Sequence, residues 1–315
     1  MTEFSAAHSA RGIPARLQLC ALGVAVLLLV SNNALAHDRT PVHDKAFWTA
    51  LRAGGFKLPS DKPVMGLALE ATALLGSTDP DLRDAVAYEA LATWIYQEER
   101  LDADELEQLR VTLAANARRG LGEKEGDRLF LRSFSILALS VLAAEDLKKP
   151  FLDSRQFDAL MDLAIEELDR EHDLRGYVPG KGWGHATAHC ADLVKFLSRS
   201  HWLRTEQQAR IVDAIAERLR TAGRVFVWGE DARLAAALTS LALRSDADPA
   251  AFDAWFRRLR EEHAAVWSGP FDPVRYVPVR AQLNTVSAFA ANLQADAGPA
   301  ASIRTALRSL RAAAQ

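Results

Sequence analysis

A chain of 315 residues, 49% of them hydrophobic, can bury the core of one large domain or of a continuous helical array. Its 38 basic and 41 acidic residues leave a net charge of −3, which gives no electrostatic case for nucleic acid or an anionic membrane surface as partner. Its two cysteines are Cys20 and Cys190, and the first falls in a segment expected to be removed, so no intrachain disulfide is expected.

Residues 1–36 read as a secretory signal. Arg11 and Arg16 give a basic start, Cys20 to Val30 is an uncharged apolar run, and Ala34-Leu35-Ala36 is a small-x-small cleavage site. The run is too short for a comfortable span, so no membrane span is expected after cleavage, and the compartment implied is the periplasm. Residues 37–63 form an opening segment with a short helix near 44–53, broken by Gly54-Gly55 and Pro59.

From Val64 to the end, residues 64–315 read as a single all-helical repeat domain. Helices are expected over 64–76, 80–99, 103–119, 126–144, 153–171, 183–200, 205–222, 230–244, 249–267, 279–294 and 299–313. Gly and Pro breakers separate them, among them Asp79-Pro80, Gly120, Lys149-Pro150 and the loop Gly269 to Pro278. Arg224 to Trp228 is the only short candidate strand. Residues 126–144 are apolar nearly all round, as an inner helix requires, whereas 103–119 and 205–222 carry charge on most faces, as outer helices do. The fold class predicted is all-α, a paired-helix array, either an open degenerate solenoid or a closed α/α toroid, without significant sheet.

The inner helices carry polar residues in lines that burial does not require. These are Glu89, Thr93 and Tyr96; Arg128, Arg132 and Ser135; His185, His189 and Asp192; Glu230, Asp231 and Arg233; and Gln282 with Asn284. Side by side they would make one concave polar groove, lined by His185, His189, Asp192, Trp183, Arg132, Glu230, Asp231 and Glu89. The competing reading makes Arg132 and its kind buried struts between helices.

The stretch around the two histidines is the densest. With a helix from Trp183, the positions Trp183, Ala186, Cys190, Leu193, Val194 and Leu197 form an apolar stripe. His185, His189, Asp192 and Phe196 form a second stripe on its shoulder. Two His at i and i+4 have metal-ligand spacing and Asp192 could be a third ligand, but Ala186 stands where the metalloprotease motif has Glu. A hydrogen-bonded seam is the plainer reading, with His189 close to Arg132, Glu230 or Asp231. No cofactor is called for, a divalent metal at His185, His189 and Asp192 being the alternative. Cys190, mid-stripe, is expected to be buried and inert. Pro179-Gly180-Lys181-Gly182 reads as a plain turn rather than an anion loop.

Gly182-Trp183-Gly184-His185, Ala188-His189 and Ala191-Asp192 resemble the signature of the bacterial family catalogued as domain of unknown function 2785. The resemblance extends to Arg132-Ser133-Phe134-Ser135 upstream and Gly229-Glu230-Asp231-Ala232-Arg233-Leu234 downstream. The family carries a small residue, usually Gly, where this chain has Cys190. The resemblance implies an all-helical, repeat-like fold and no particular activity.

The function expected from these residues is a binding or interaction scaffold of the cell envelope, with a protein or glycan ligand. The alternative is a hydrolase of envelope glycans or peptides, whether or not metal-assisted. Its acid and base would come from Glu89, Asp173, Asp192 and Glu230.

Overall fold

Asp and Pro set where many of the helices begin. In the computed structural model, which describes residues 42–293 and 299–313, α1 (Lys45–Ala53) starts after Asp44, whose side chain accepts from Phe47 N. Asp102 and Asp153 close capping boxes with Glu105 and Gln156 at the starts of α4 (Ala103–Ala117) and α6 (Ser154–Arg170). Asp248 and Asp272 cap α10 (Pro249–Val266) and α11 (Pro273–Asn292), each with Pro at the first helical position, where no backbone N–H is missed. The remaining helices are α2 (Met65–Leu74), α5 (Arg128–Lys148), α7 (Ala186–Leu197), α8 (Thr205–Thr221), α9 (Glu230–Ala242) and α12 (Pro299–Ala313). Between α2 and α4, α3 is one helical stretch of three pieces: π-helical Asp81–Tyr88, α-helical Glu89–Ala92 and π-helical Thr93–Gln97. The expectations for residues 1–36 lie outside the described residues.

The fold is all-α. Helices α5, α7, α9 and α11 pack one on the next, each on its second successor in the chain. Helix α4 lies on α5, α6 on α7 and α8, and α10 on α8, α11 and α12. Helix α5 is buried on nearly every face, from Leu129 and Phe130 to Leu142 and Ala143, as its apolar sequence demands. One hydrophobic cluster runs from Trp48 on α1 to Leu310 on α12. Among the described residues no helix is long and apolar enough to cross a membrane.

Two expectations about element boundaries are corrected. Helix α11 starts at Pro273 rather than at 279. The Asp272 cap and Pro273 initiate it, and Pro278 forfeits its own bond to the preceding turn, so residues 273–278, read as the end of a loop, open the helix. Helix α7 starts at Ala186 rather than at Trp183. Tyr177–Val178 (β1) and Gly182–Trp183 (β2) pair antiparallel, Tyr177 opposite Trp183. The turn between them has Pro179 at its second position and Gly180 (φ +76°) at its third, and Lys181 N donates to Val178 O at 3.0 Å. That is the chemistry of a type II turn. Arg224 to Trp228 has no strand structure; the only strands among the described residues are β1 and β2.

Candidate functional site

The site is built where α7 and α9 begin, and neither helix is capped by a side chain. His185 precedes α7 in a left-handed conformation (φ 57°) and Gly229 precedes α9 in the same region (φ 91°). A non-glycine residue in this region is uncommon, and His185 is held there by bonds on both sides. Its N–H donates to Arg175 O at 3.0 Å, and Gly184 N donates to Gly176 O at 2.7 Å. Its Nε2 lies 3.0 Å from Trp228 O. A carbonyl only accepts, so Nε2 carries the proton and the hairpin is tied to the approach to α9. Glu230 completes the tie by accepting from Trp228 N at 2.9 Å, with its other oxygen 3.9 Å from His185 Nε2.

His189 sits one turn further on, its ring 5.8 Å from that of His185 and edge-on to Phe134 at 4.9 Å. Its Nδ1 is 2.7 Å from Ser133 Oγ on α5. Ser133 donates its proton to Gly184 O, so its oxygen accepts from His189 Nδ1–H, and Nε2 of His189 is left unprotonated. Burial pushes both imidazoles down from their ordinary value, His189 strongly, with the neighbouring His185 adding to its shift. Glu230 works against burial at His185 and does not overcome it. The site therefore holds two neutral imidazoles at pH 7.

Around this pair stand three exposed rings. Trp183 stacks on His185 with centroids 4.7 Å apart and planes at 19°. Tyr177 meets Trp183 at 5.3 Å and 78°, and Trp228 meets it at 5.8 Å and 77°. Trp228 lies against the backbone of Gly176, where an added Cβ would come 2.1 Å from its Cδ1. Only glycine admits that approach.

The remaining predicted groove residues fall in several places. Asp192 is on α7 but turns to Arg233 of α9 and lies 3.5 Å from Lys195 Nζ. Arg132 does not line a groove: its Nε and Nη2 clasp Glu171 at 2.6 and 3.0 Å, both side chains being buried. This is the strut reading, and His189 accordingly meets Ser133 rather than Arg132, Glu230 or Asp231. Helix α5 is buried on nearly every face, so Arg132 found a carboxylate in the core. Ser135, from the same line, is fully buried, whereas Arg128 is exposed and paired with Glu123. Asp231 is half-buried and its carboxylate accepts from Ala232 N. Asp173 is buried with Arg175, Nη2 to Oδ2 at 2.5 Å. Glu89 is exposed on α3, beside a cleft of about 500 Å³ lined with Arg52, Asp84 and Tyr88. Burial raises both Asp84 and Tyr88 above their ordinary values.

Residue patterns alone did not single out Ser133, Tyr177, Trp228 or Arg83 as parts of the site. Arg83 is fully buried over Phe130 and Phe134, 4.2 and 4.8 Å from the ring centroids, and donates to Lys181 O at 2.7 Å, anchoring the hairpin. The Pro-Gly turn and Gly176 were the available signals for the hairpin. Among the described residues no group of three or more His, Cys, Asp or Glu converges to hold a metal ion.

The profile of the family described as protein of unknown function, DUF2785, matches residues 118–277. The chain belongs to this family. The matched DUF2785 region runs from the end of α4 into the start of α11, and it contains every residue of the histidine and aromatic site except Arg83. The cleft beside Glu89 lies outside it. Neither the search of curated proteins nor that of solved structures found a match.

Proposed function

We propose that this DUF2785 chain is a binding scaffold of the cell envelope, exported to the periplasm, whose ligand meets the aromatic rim beside His185 and His189. One observation carries the reading. Tyr177, Trp183 and Trp228 are 46%, 37% and 49% exposed, while the titratable groups beside them are tied down by hydrogen bonds. Large exposed rings on anchored loops supply contact area at little cost in conformational entropy. A hydrolase would need two free carboxylates facing each other across a cleft. Asp173, Asp192 and Glu230 are each engaged by an arginine or a backbone N–H, and Glu89 alone of the four is open. That arrangement favours binding over cleavage.

Cell fractionation tests the setting: the chain should appear in the periplasmic fraction with an intact mass lacking residues 1–36. Titrating the protein with solubilised envelope material tests the site. Tryptophan emission should shift in the wild type and stay unchanged in the Trp183→Ala, Trp228→Ala double variant. Turnover of an envelope polymer that vanishes in Glu89→Gln would replace this reading with the hydrolase.

A further inference from the structure

We propose that the Tyr177–Trp183–Trp228 cluster is a carbohydrate-stacking platform. The proposal rests on the binding reading above and names its ligand class.

The first support is the arrangement of the rings. Their centroids are 5.3, 5.8 and 6.3 Å apart, which puts the rings in mutual contact. Tyr177 and Trp228 stand near-perpendicular to Trp183, at 78° and 77°, so the rings form a continuous but stepped surface with no gap that would enclose an ammonium group. The surface is also backed. His185 supports one face of Trp183 at 4.7 Å, and the Gly176 backbone lies under Trp228. A sugar ring presents a face of C–H groups to such a surface, and no side chain has to reorder to receive it.

The second support is charge. The charges beside the rings offset one another. Lys181, two residues before Trp183, bonds Asp127 at 2.7 Å, both residues being exposed at 40% and 51%. Arg233 pairs with Asp192. The two histidines are neutral by burial. Exposed Arg224, which donates to Leu174 O, is offset by the Glu230 carboxylate at Trp228 N, so the excess of positive charge that a phosphate, a nucleic acid or an anionic lipid would need is not built here. What the rim does offer is a donor and an acceptor in the exposed Lys181–Asp127 pair, which suit the alternating hydroxyls of a neutral sugar. A purely apolar partner would strand those same groups.

The test is fluorescence titration of the whole mature chain with chitohexaose and with solubilised peptidoglycan glycan strands. Choline and anionic phospholipid vesicles serve as competing chemistries. At least one saccharide should bind. Trp228→Leu and Trp183→Leu should each weaken it at least tenfold, and Trp228→Phe should retain most of the affinity. Trp267→Ala, an exposed tryptophan in a different aromatic cluster, should leave it unchanged. Thermal midpoints of all variants are measured alongside, and an affinity loss counts only in a variant that melts cooperatively. If neither saccharide binds, or if binding ignores both leucine variants, the platform is overturned. If choline or vesicles bind instead, and the leucine variants abolish that, the site stands as a binding rim while the carbohydrate assignment falls.

Discussion

Helix α7 separates two regions that treat polar groups in opposite ways. Toward α5 and α9 it presents His185 and His189, each with one ring nitrogen matched, Nε2 of His185 to Trp228 O and Nδ1 of His189 to Ser133 Oγ. Toward α6 and α8 it presents Cys190, whose Sγ donates to Ala164 O at 3.3 Å. Near Cys190 lies Glu167, 1% exposed, with neither carboxylate oxygen hydrogen-bonded, and Arg218 Nε is unsatisfied as well. Burial, with the charge of Glu171 second, raises the Glu167 carboxyl to about 8. Burial also pushes the Cys190 thiol well up, so its nucleophilic form is suppressed. One side is tied by hydrogen bonds and edged by exposed rings. The other is sealed and under electrostatic stress. What separates the two sides is whether the buried polar groups find partners: the imidazoles do and the Glu167 carboxyl does not.

The sealed side should be the more fragile. Arg132→Ala leaves Glu171 as an uncompensated buried charge and should cost about 3–5 kcal/mol in urea unfolding. A loss under about 1 kcal/mol would mean that Glu171 finds water, and that the sealed side is not sealed.

The two sides should next separate by pH. The Glu167 carboxyl keeps its proton in the fold up to about 8, while the unfolded chain releases it near its ordinary value of 4.5. Its contribution to stability therefore falls as pH rises between those values and is gone above them. Glu167→Gln should flatten that limb and gain on the order of 3 kcal/mol over the wild type at pH 9. The histidines have the opposite sign. Their folded pKa values lie below the ordinary 6.5, so the unfolded chain takes up protons first and stability falls as pH drops below that value. His189→Asn, which keeps a donor toward Ser133 and cannot titrate, should flatten the acid limb and leave the alkaline limb intact.

A smaller effect sharpens the open side. His189→Ala strands Ser133 Oγ and should cost roughly 1–3 kcal/mol in thermal or urea unfolding. The smallest is expected at the rim itself. Trp228→Leu removes half-exposed surface from a loop and should change stability by less than about 0.5 kcal/mol. A thiol reagent should label Cys190 only after denaturant is added, in wild type and Trp228→Leu alike. Rapid labelling of the native chain would show that the sealed side opens.

The sequence by itself determined the helical class and most helix boundaries. Those follow from local physics: apolar periodicity, Asp caps at Asp44, Asp102 and Asp153, and Gly and Pro breaks act within a few residues. It also placed Cys190 in the core, because one helix face was apolar throughout. Tertiary structure decided the partners. Arg132 and Ser133 are adjacent on α5 and turn to different sides, one to Glu171 and one to His189. No pattern along the chain distinguishes them, since the choice depends on which helix packs against each face. The hairpin shows the same limit. Gly176 and Trp228 lie far apart in sequence, and the contact that requires the glycine exists only once α7 and α9 are side by side.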